Sequence, residues 1–198
     1  ENHRALFTQA GFEVQSYPYY DAATHGIRFE AMLAALNAAS PGTVVVLHAC
    51  CHNPTGGDLD AAQWAQVVQA VQVRQLVPFL DMAYQGFGDG IAEDGAVVQQ
   101  LLAAGLDFLV ATSFSKSFSL YGERVGALSV VCASKDEAVR VLSRLKVLIR
   151  GNYSNPPTHG AQLVATVLTT PQLRTQWEEE LAGMRQRIKR MRQALVQR

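Results

Sequence analysis

Charge is scarce in this chain: only 17% of its 198 residues are charged, and 17 acidic residues balance 17 basic ones to a formal net charge of +0. So neutral a balance gives no footprint for nucleic acid, an anionic membrane or a polyacidic partner. Cysteine is scarcer still. Cys50, Cys51 and Cys132 are odd in number, two adjacent and one isolated. They make neither a disulfide framework nor a metal-ligand spacing, and they point to a reducing, cytoplasmic compartment. No apolar run approaches the roughly 20 residues of a membrane span, and the start Glu1-Asn2-His3-Arg4 does not read as a signal sequence. Repeats and low-complexity tracts are absent. So are a GxGxxG string and a P-loop string, which removes support for a Rossmann nucleotide site and for a nucleoside-triphosphate cradle.

What is present is a chain that is 48% hydrophobic and long enough to bury a substantial core. Five short apolar runs read as strands: Phe12 to Tyr17, Val44 to Ala49, Val77 to Asp81, Phe108 to Ala111 and Ala127 to Cys132. Helical patterns over Phe29 to Ala38, Ala61 to Arg74, Ala96 to Ala104 and Asp136 to Ile149 alternate with them. Asp58 to Asp60 offers caps for the second helix and Gly105 a stop for the third. Alternation of this kind predicts an α/β fold, a mostly parallel sheet with helices on both faces, whose ligand sits beyond the carboxyl ends of the strands.

After Arg150 the character changes. Gly151 to Pro157 is a turn-rich break with two adjacent prolines. Thr158 to Leu168 then reads as an apolar helix and Pro171 to Arg198 as a long amphipathic one. Leu173, Trp177, Leu181, Met184, Ile188, Met191 and Leu195 recur at intervals of three or four and predict its buried stripe. The basic residues between them, Arg185 to Arg192, read as a solvated face with a favourable C-terminal charge bias. Residues 1–157 are thus expected to form one domain and 158–198 a helical connection. Because the chain opens inside helical turns that stop at Gly11 and closes in an uncapped helix, both ends read as cuts in a longer protein.

Three polar clusters follow three strand-like runs. Lys116 lies in Ser113-Phe114-Ser115-Lys116, His52-Asn53-Pro54-Thr55-Gly56 follows the Val44 run, and Asp81-Met82-Ala83-Tyr84 closes the Val77 run. Taken alone, a lysine at a strand end is most often a solvated terminus, and an aspartate there a turn or cap. Together they suit a phosphorylated aldehyde cofactor such as pyridoxal 5′-phosphate. That chemistry needs an amine to form a Schiff base, a carboxylate for the ring nitrogen, donors to the phenolate oxygen and a phosphate cradle. Lys116 is the candidate amine and Asp81 the candidate carboxylate, with Tyr84 and Asn53 as phenolate donors. Ser113, Ser115 and Arg124 supply hydroxyls and a two-pronged guanidinium for phosphate.

The strings His48-Ala49-Cys50-Cys51-His52-Asn53-Pro54-Thr55-Gly56, Asp81-Met82-Ala83-Tyr84-Gln85-Gly86-Phe87, Ser113-Phe114-Ser115-Lys116 and Tyr121-Gly122-Glu123-Arg124-Val125-Gly126 closely resemble the class I aminotransferases of PLP fold type I. Within them the likeness is to the aspartate and aromatic-amino-acid branch, best to the bacterial aromatic (tyrosine) enzymes, and it runs essentially end to end as a central fragment. The resemblance implies that Lys116 holds the cofactor and moves the proton at the substrate Cα. It gives the pyridinium to Asp81, the phenolate oxygen to Tyr84 and Asn53, and the phosphate to Ser113 and Arg124. Asn53 also touches substrate, Asn53-Pro54 is cis, and His3 and His48 stand behind Asp81. Arg150 is implied to reach across a homodimer to the substrate's side-chain carboxylate, so that two chains share each site.

The implied activity is ping-pong transamination of aromatic amino acids, and of aspartate, with 2-oxoglutarate. An aspartate-preferring enzyme is the runner-up. Cofactor motifs do not fix which Cα bond breaks, so a lyase or synthase on the same fold stays open, as does a non-catalytic cofactor-binding or dimerising module.

Overall fold

A computed structural model describes residues 2–197. The elements run in order α1 (Asn2–Gln9), β1 (Tyr20–Asp21), β2 (Gly26–Ile27), α2 (Phe29–Ala38), β3 (Val44–His48), α3 (Ala61–Arg74), β4 (Val77–Met82), α4 (Ile91–Asp94), α5 (Ala96–Ala103), β5 (Phe108–Ser113), β6 (Gly126–Val131), α6 (Lys135–Asn152), α7 (His159–Thr169) and α8 (Pro171–Val196). The predicted alternation holds from α2 to α6, and the local signals act where expected. The Asp60 side chain accepts the Gln63 N–H while the Gln63 side chain caps the Asp60 N–H, a reciprocal pair that starts α3.

The main sheet has the order β3-β4-β5-β6. β3, β4 and β5 are parallel, and β6 returns antiparallel along the edge of β5. Burial alternates along the parallel strands with the two-residue period of a pleated sheet. Val45, Leu47, Leu80, Met82, Phe108 and Val110 point into one core with Met32 and Leu36 of α2, Val67 and Val71 of α3 and Leu101 of α5. Fully burying each large aliphatic side chain there contributes about 1.5–3 kcal/mol. On the second face Phe7 of α1 meets Phe79 edge-on at 5.7 Å.

Two expectations are corrected. Phe12 to Tyr17 forms no strand, because the guanidinium of Arg4 holds the Val14 carbonyl at 3.3 Å and the Ser16 hydroxyl at 3.0 Å, and no neighbouring strand offers a ladder. The stripe on α8 is buried only at Leu181, with Trp177 half-buried. Its later members are more exposed, Ile188 at 43% and Leu195 at 75%, and no buried residue follows Leu181 on the helix.

Leu181 docks where the chain makes room for it. Gly86 has φ +94°, and a Cβ there would come within 2.4 Å of the Leu181 side chain, so both conformation and contact require glycine. Among the described residues no helix is long and apolar enough to cross a membrane.

Candidate active site

Parallel pairing brings three strand ends to one edge. His48 is in register with Asp81, and Asp81 with Ala111, so the loops that leave β3, β4 and β5 emerge side by side. The first carries Asn53. Its turn is held by Asp58, whose carboxylate accepts the N–H groups of Cys51 and His52, each at 2.7 Å. The Asn53-Pro54 bond is cis. The Asn53 backbone N–H donates to His48 Nδ1 at 3.2 Å, and its side-chain amide donates to the Tyr84 hydroxyl at 3.5 Å.

The second loop carries Tyr84 and is organised by a buried carboxylate. Asp94, 7% exposed, accepts the N–H groups of Gly86 and Asp89 at 2.8 Å, of Gly88 at 2.9 Å and of Gly90 at 3.5 Å. The third loop carries Lys116 between two buried serines, Ser115 and Ser117. The Ser113 hydroxyl accepts the Ser115 N–H at 3.2 Å, and Trp177 of α8 donates to the Ser117 carbonyl at 2.8 Å while stacking on Phe118.

Lys116 Nζ lies 5.4 Å from the ring centroids of both Tyr84 and Tyr121, within cation–π range. It makes no hydrogen bond or ion pair among the described residues. It opens into a cleft of about 560 Å³ lined also by Asn53, Tyr84, Tyr121, Lys189 and Arg192. Asp81, half-buried, accepts a hydrogen bond from His3 Nε2 at 2.8 Å. The His48 ring meets His3 edge-on at 5.5 Å, and His52 stacks on Tyr19 at 4.0 Å. Burial holds the pKa of His48 below its ordinary value, and burial together with the neighbouring His48 pulls His52 down to about 4. Both rings are therefore neutral near pH 7.

Lys116, Asn53 and Tyr84 thus converge on one cleft, with Asp81 and His48 at the ends of β4 and β3 and His3 of α1 against both. Ser113 and Arg124 emerge together at the end of the β5–β6 pair, since Ser113 is in register with Gly126 and Phe114 donates to the Val125 carbonyl. Ser113 lines a separate cavity of about 250 Å³, and the exposed Arg124 donates to the Tyr121 carbonyl at 3.1 Å. Arg150 is exposed on the last turn of α6, where it bonds the Ser154 hydroxyl, and it does not line the cleft.

The reading of the α8 bases as a solvated face is corrected in part. Arg185 donates to the Gly86 carbonyl at 2.8 Å, Lys189 pairs with Asp89 at 2.7 Å, and Arg192 lies against Gly56, so a row at four- and three-residue spacing faces the cleft. These contacts span about a hundred residues in sequence, and nothing local in the sequence signals them. Asp58, expected among the caps of α3, instead holds the Asn53 loop while Asp60 caps the helix, and Asp94 was missed because its partners are backbone N–H groups of a loop.

Comparison with known proteins follows the same lines. The family description "Aminotransferase class I and II" matches residues 1–198. An aspartate aminotransferase of Pseudomonas aeruginosa is 59% identical over 100% of this chain and 50% of its own length. A tyrosine aminotransferase of Klebsiella pneumoniae is 56% identical over 99% of this chain and 49% of its own. Among solved structures, the aromatic-amino-acid aminotransferase of Burkholderia pseudomallei, covalently bound to pyridoxal phosphate, superposes with a TM-score of 0.98 at 66% identity, over 99% of this chain and 49% of its own. The psychrophilic aromatic amino acid aminotransferase of Psychrobacter sp. B6, cocrystallised with aspartic acid, gives 0.98 at 47% identity, over 99% of this chain and 49% of its own. The chain spans about half the length of the curated relatives it matches.

Proposed function

This chain belongs to the class I and II aminotransferases, and on that footing we propose that its protein transfers amino groups from aromatic amino acids, and from aspartate, to 2-oxoglutarate with pyridoxal 5′-phosphate as cofactor. Residues 1–157 serve as the cofactor-binding large domain and 158–198 as its helical connection to a smaller one. The setting is cytoplasmic.

The donor set fits the cofactor. Lys116 Nζ has no hydrogen-bond partner among the described residues to give up, Asp81 is backed by His3, Asn53 and Tyr84 present an amide and a hydroxyl side by side, and Ser113, Ser115 and Arg124 offer hydroxyls and a guanidinium suited to phosphate. When bound, the pyridoxal group supplies an electron sink for negative charge at the substrate Cα. The residues supply the rest. Asp81 holds a proton on the ring nitrogen through its negative charge. Lys116 holds the aldehyde carbon, then takes and returns the proton at Cα, a positioned transfer worth about 10²–10⁴ in rate. Arg150, exposed and outside its own cleft, serves the cleft of a second copy in a homodimer and holds an acidic substrate's side-chain carboxylate there.

The observation that carries this reading is the convergence of Lys116, Tyr84 and Asn53 on one cleft, with Asn53 joined through His48 to the His3–Asp81 pair. Aromatic donors are favoured by relatives named for tyrosine and aromatic amino acids. An aspartate preference is the second reading, favoured by the 59% identical relative named for aspartate. Two measurements test the proposal. Adding pyridoxal phosphate is expected to produce a visible absorption band that Lys116→Ala abolishes; an unchanged band in the variant rejects Lys116. The ratio of kcat/KM for phenylalanine and aspartate with 2-oxoglutarate then decides between the two substrate readings.

A further inference from the structure

We propose that Cys50 and Cys51 form a dithiol site that captures trivalent arsenicals of the type R–As(OH)₂. Both thiols are free, and their sulfurs lie within 4.8 Å of each other and of the Asp94 carboxylate. Cys50 is buried, whereas Cys51 is half-buried and lines the cleft, so a reagent in the cleft meets the Cys51 sulfur first, with the Cys50 sulfur within 4.8 Å of it. The geometry is held from outside the pair. Asp58 fixes the Cys51 N–H at 2.7 Å, and Cys51 Sγ points at the Tyr84 carbonyl at 3.8 Å.

Asp94 decides which thiophile the site takes. A divalent ion such as Zn²⁺ asks for about four donors, and among the His, Cys, Asp and Glu side chains of the described residues the Asp94 carboxylate is the one further ligand grouped with both sulfurs. Its two oxygens already accept four backbone N–H groups, which fills the roughly four lone-pair sites a carboxylate has. Drawing it onto a metal would strand buried N–H groups without an acceptor. The ligand must therefore be satisfied by two sulfurs. Trivalent arsenic meets that condition, because its third bond is to the group R, for which the 560 Å³ cleft has room.

The exchange balances without an oxidant. Two As–O bonds break and two As–S bonds form, the two thiol protons leave with the two hydroxides as water, and arsenic stays trivalent. The product is neutral, so closing it over the buried Cys50 leaves no uncompensated charge. The two thiols act on each other, so that the pKa of Cys51 is lowered by its neighbour Cys50 while that of Cys50 is pushed up by Cys51 and by burial. Cys51 is thus the attacking sulfur and Cys50 supplies the second proton.

Phenylarsine oxide, added to the reduced chain, tests this. The expected result is one phenylarsenic group per chain by native mass spectrometry, released by a 1,2-dithiol but not by an equal concentration of a monothiol. The second As–S bond closes intramolecularly, so Cys51→Ser is expected to weaken capture by about 10²–10⁴-fold, with Cys132→Ser unchanged. Cys50→Ser gives the same loss if it folds; because Cys50 is buried, the half-buried Cys51 carries the decision and the thermal melt of its variant verifies folding. Unchanged capture by a folded Cys51→Ser variant, loss of capture in Cys132→Ser, or release by monothiol as readily as by dithiol would overturn the proposal.

Discussion

Two aspartates that no motif singles out hold the loops of the candidate site, and Asp94 is the more demanding case. It is a buried anion whose charge is balanced by N–H dipoles converging from Gly86 to Gly90. An asparagine keeps the shape but has one oxygen where the carboxylate has two. Asp94→Asn is expected to leave N–H groups of the loop without a partner and to destabilise the chain by about 1–3 kcal/mol for each one. Urea unfolding measures it, and an unchanged midpoint would mean that water replaces the lost acceptor. The residues of the proposed chemistry were legible for a different reason. An amine, an acid and an amide each stood directly after an apolar run, and parallel pairing brings such positions together. Asp94 stood out in neither composition nor spacing, because what it binds is loop backbone, and Asp58 stood out only as a cap candidate for α3, a role that Asp60 takes.

At the level of elements, legibility followed length. α2, α3, α5 and α6 were readable from apolar periodicity and from stop and cap residues, and the sheet strands from short apolar runs. The β1–β2 pair has two residues per strand and α4 a single turn, too short to carry any period. The run from Phe12 has the composition of a strand but lacks a neighbour, which shows that a β pattern specifies a surface and not a partner. The cap of α3 is the sequence signal with the most direct energetic test. Asp60→Ala removes the acceptor for the Gln63 N–H, bonded at 2.8 Å, on a helix that packs Trp64, Val67 and Val71 against the sheet. The expected loss is about 1 kcal/mol, seen as a lower melting temperature with little change in the sheet signal at low temperature. No change in melting would mean that the packed face alone sets the start of α3.

For the whole molecule, folding ties several buried rings to their neutral forms, and this gives its stability a characteristic dependence on pH. His52 has a folded pKa of about 4 against an ordinary 6.5, and burial lowers His48 in the same direction. Between those values the unfolded chain binds more protons than the folded one, so stability rises with pH there and is lost as the solution is acidified from about 6.5 toward 4. Tyr17 works at the other limit. Its hydroxyl donates to the Val46 carbonyl at 2.8 Å, and burial raises its pKa from 10.0 to about 12. Tyr19 is raised in the same sense by burial and by Asp58. The folded chain keeps these protons where the unfolded chain has released them, so their contribution is complete below pH 10 and falls as pH climbs toward 12. A plateau of stability is expected between about pH 6.5 and 10, with an acid limb set by imidazoles and an alkaline limb set by phenols. Melting temperatures across pH measure it. His52→Gln removes one titrating ring from the Tyr19 stack and should flatten the acid limb alone, while Tyr17→Phe should flatten the alkaline limb alone. An acid limb of unchanged slope in His52→Gln would assign it to His48 instead, because the carboxylates titrate lower still: Asp89, held below its ordinary 3.8 by Lys189, loses its contribution only as pH falls through that depressed value.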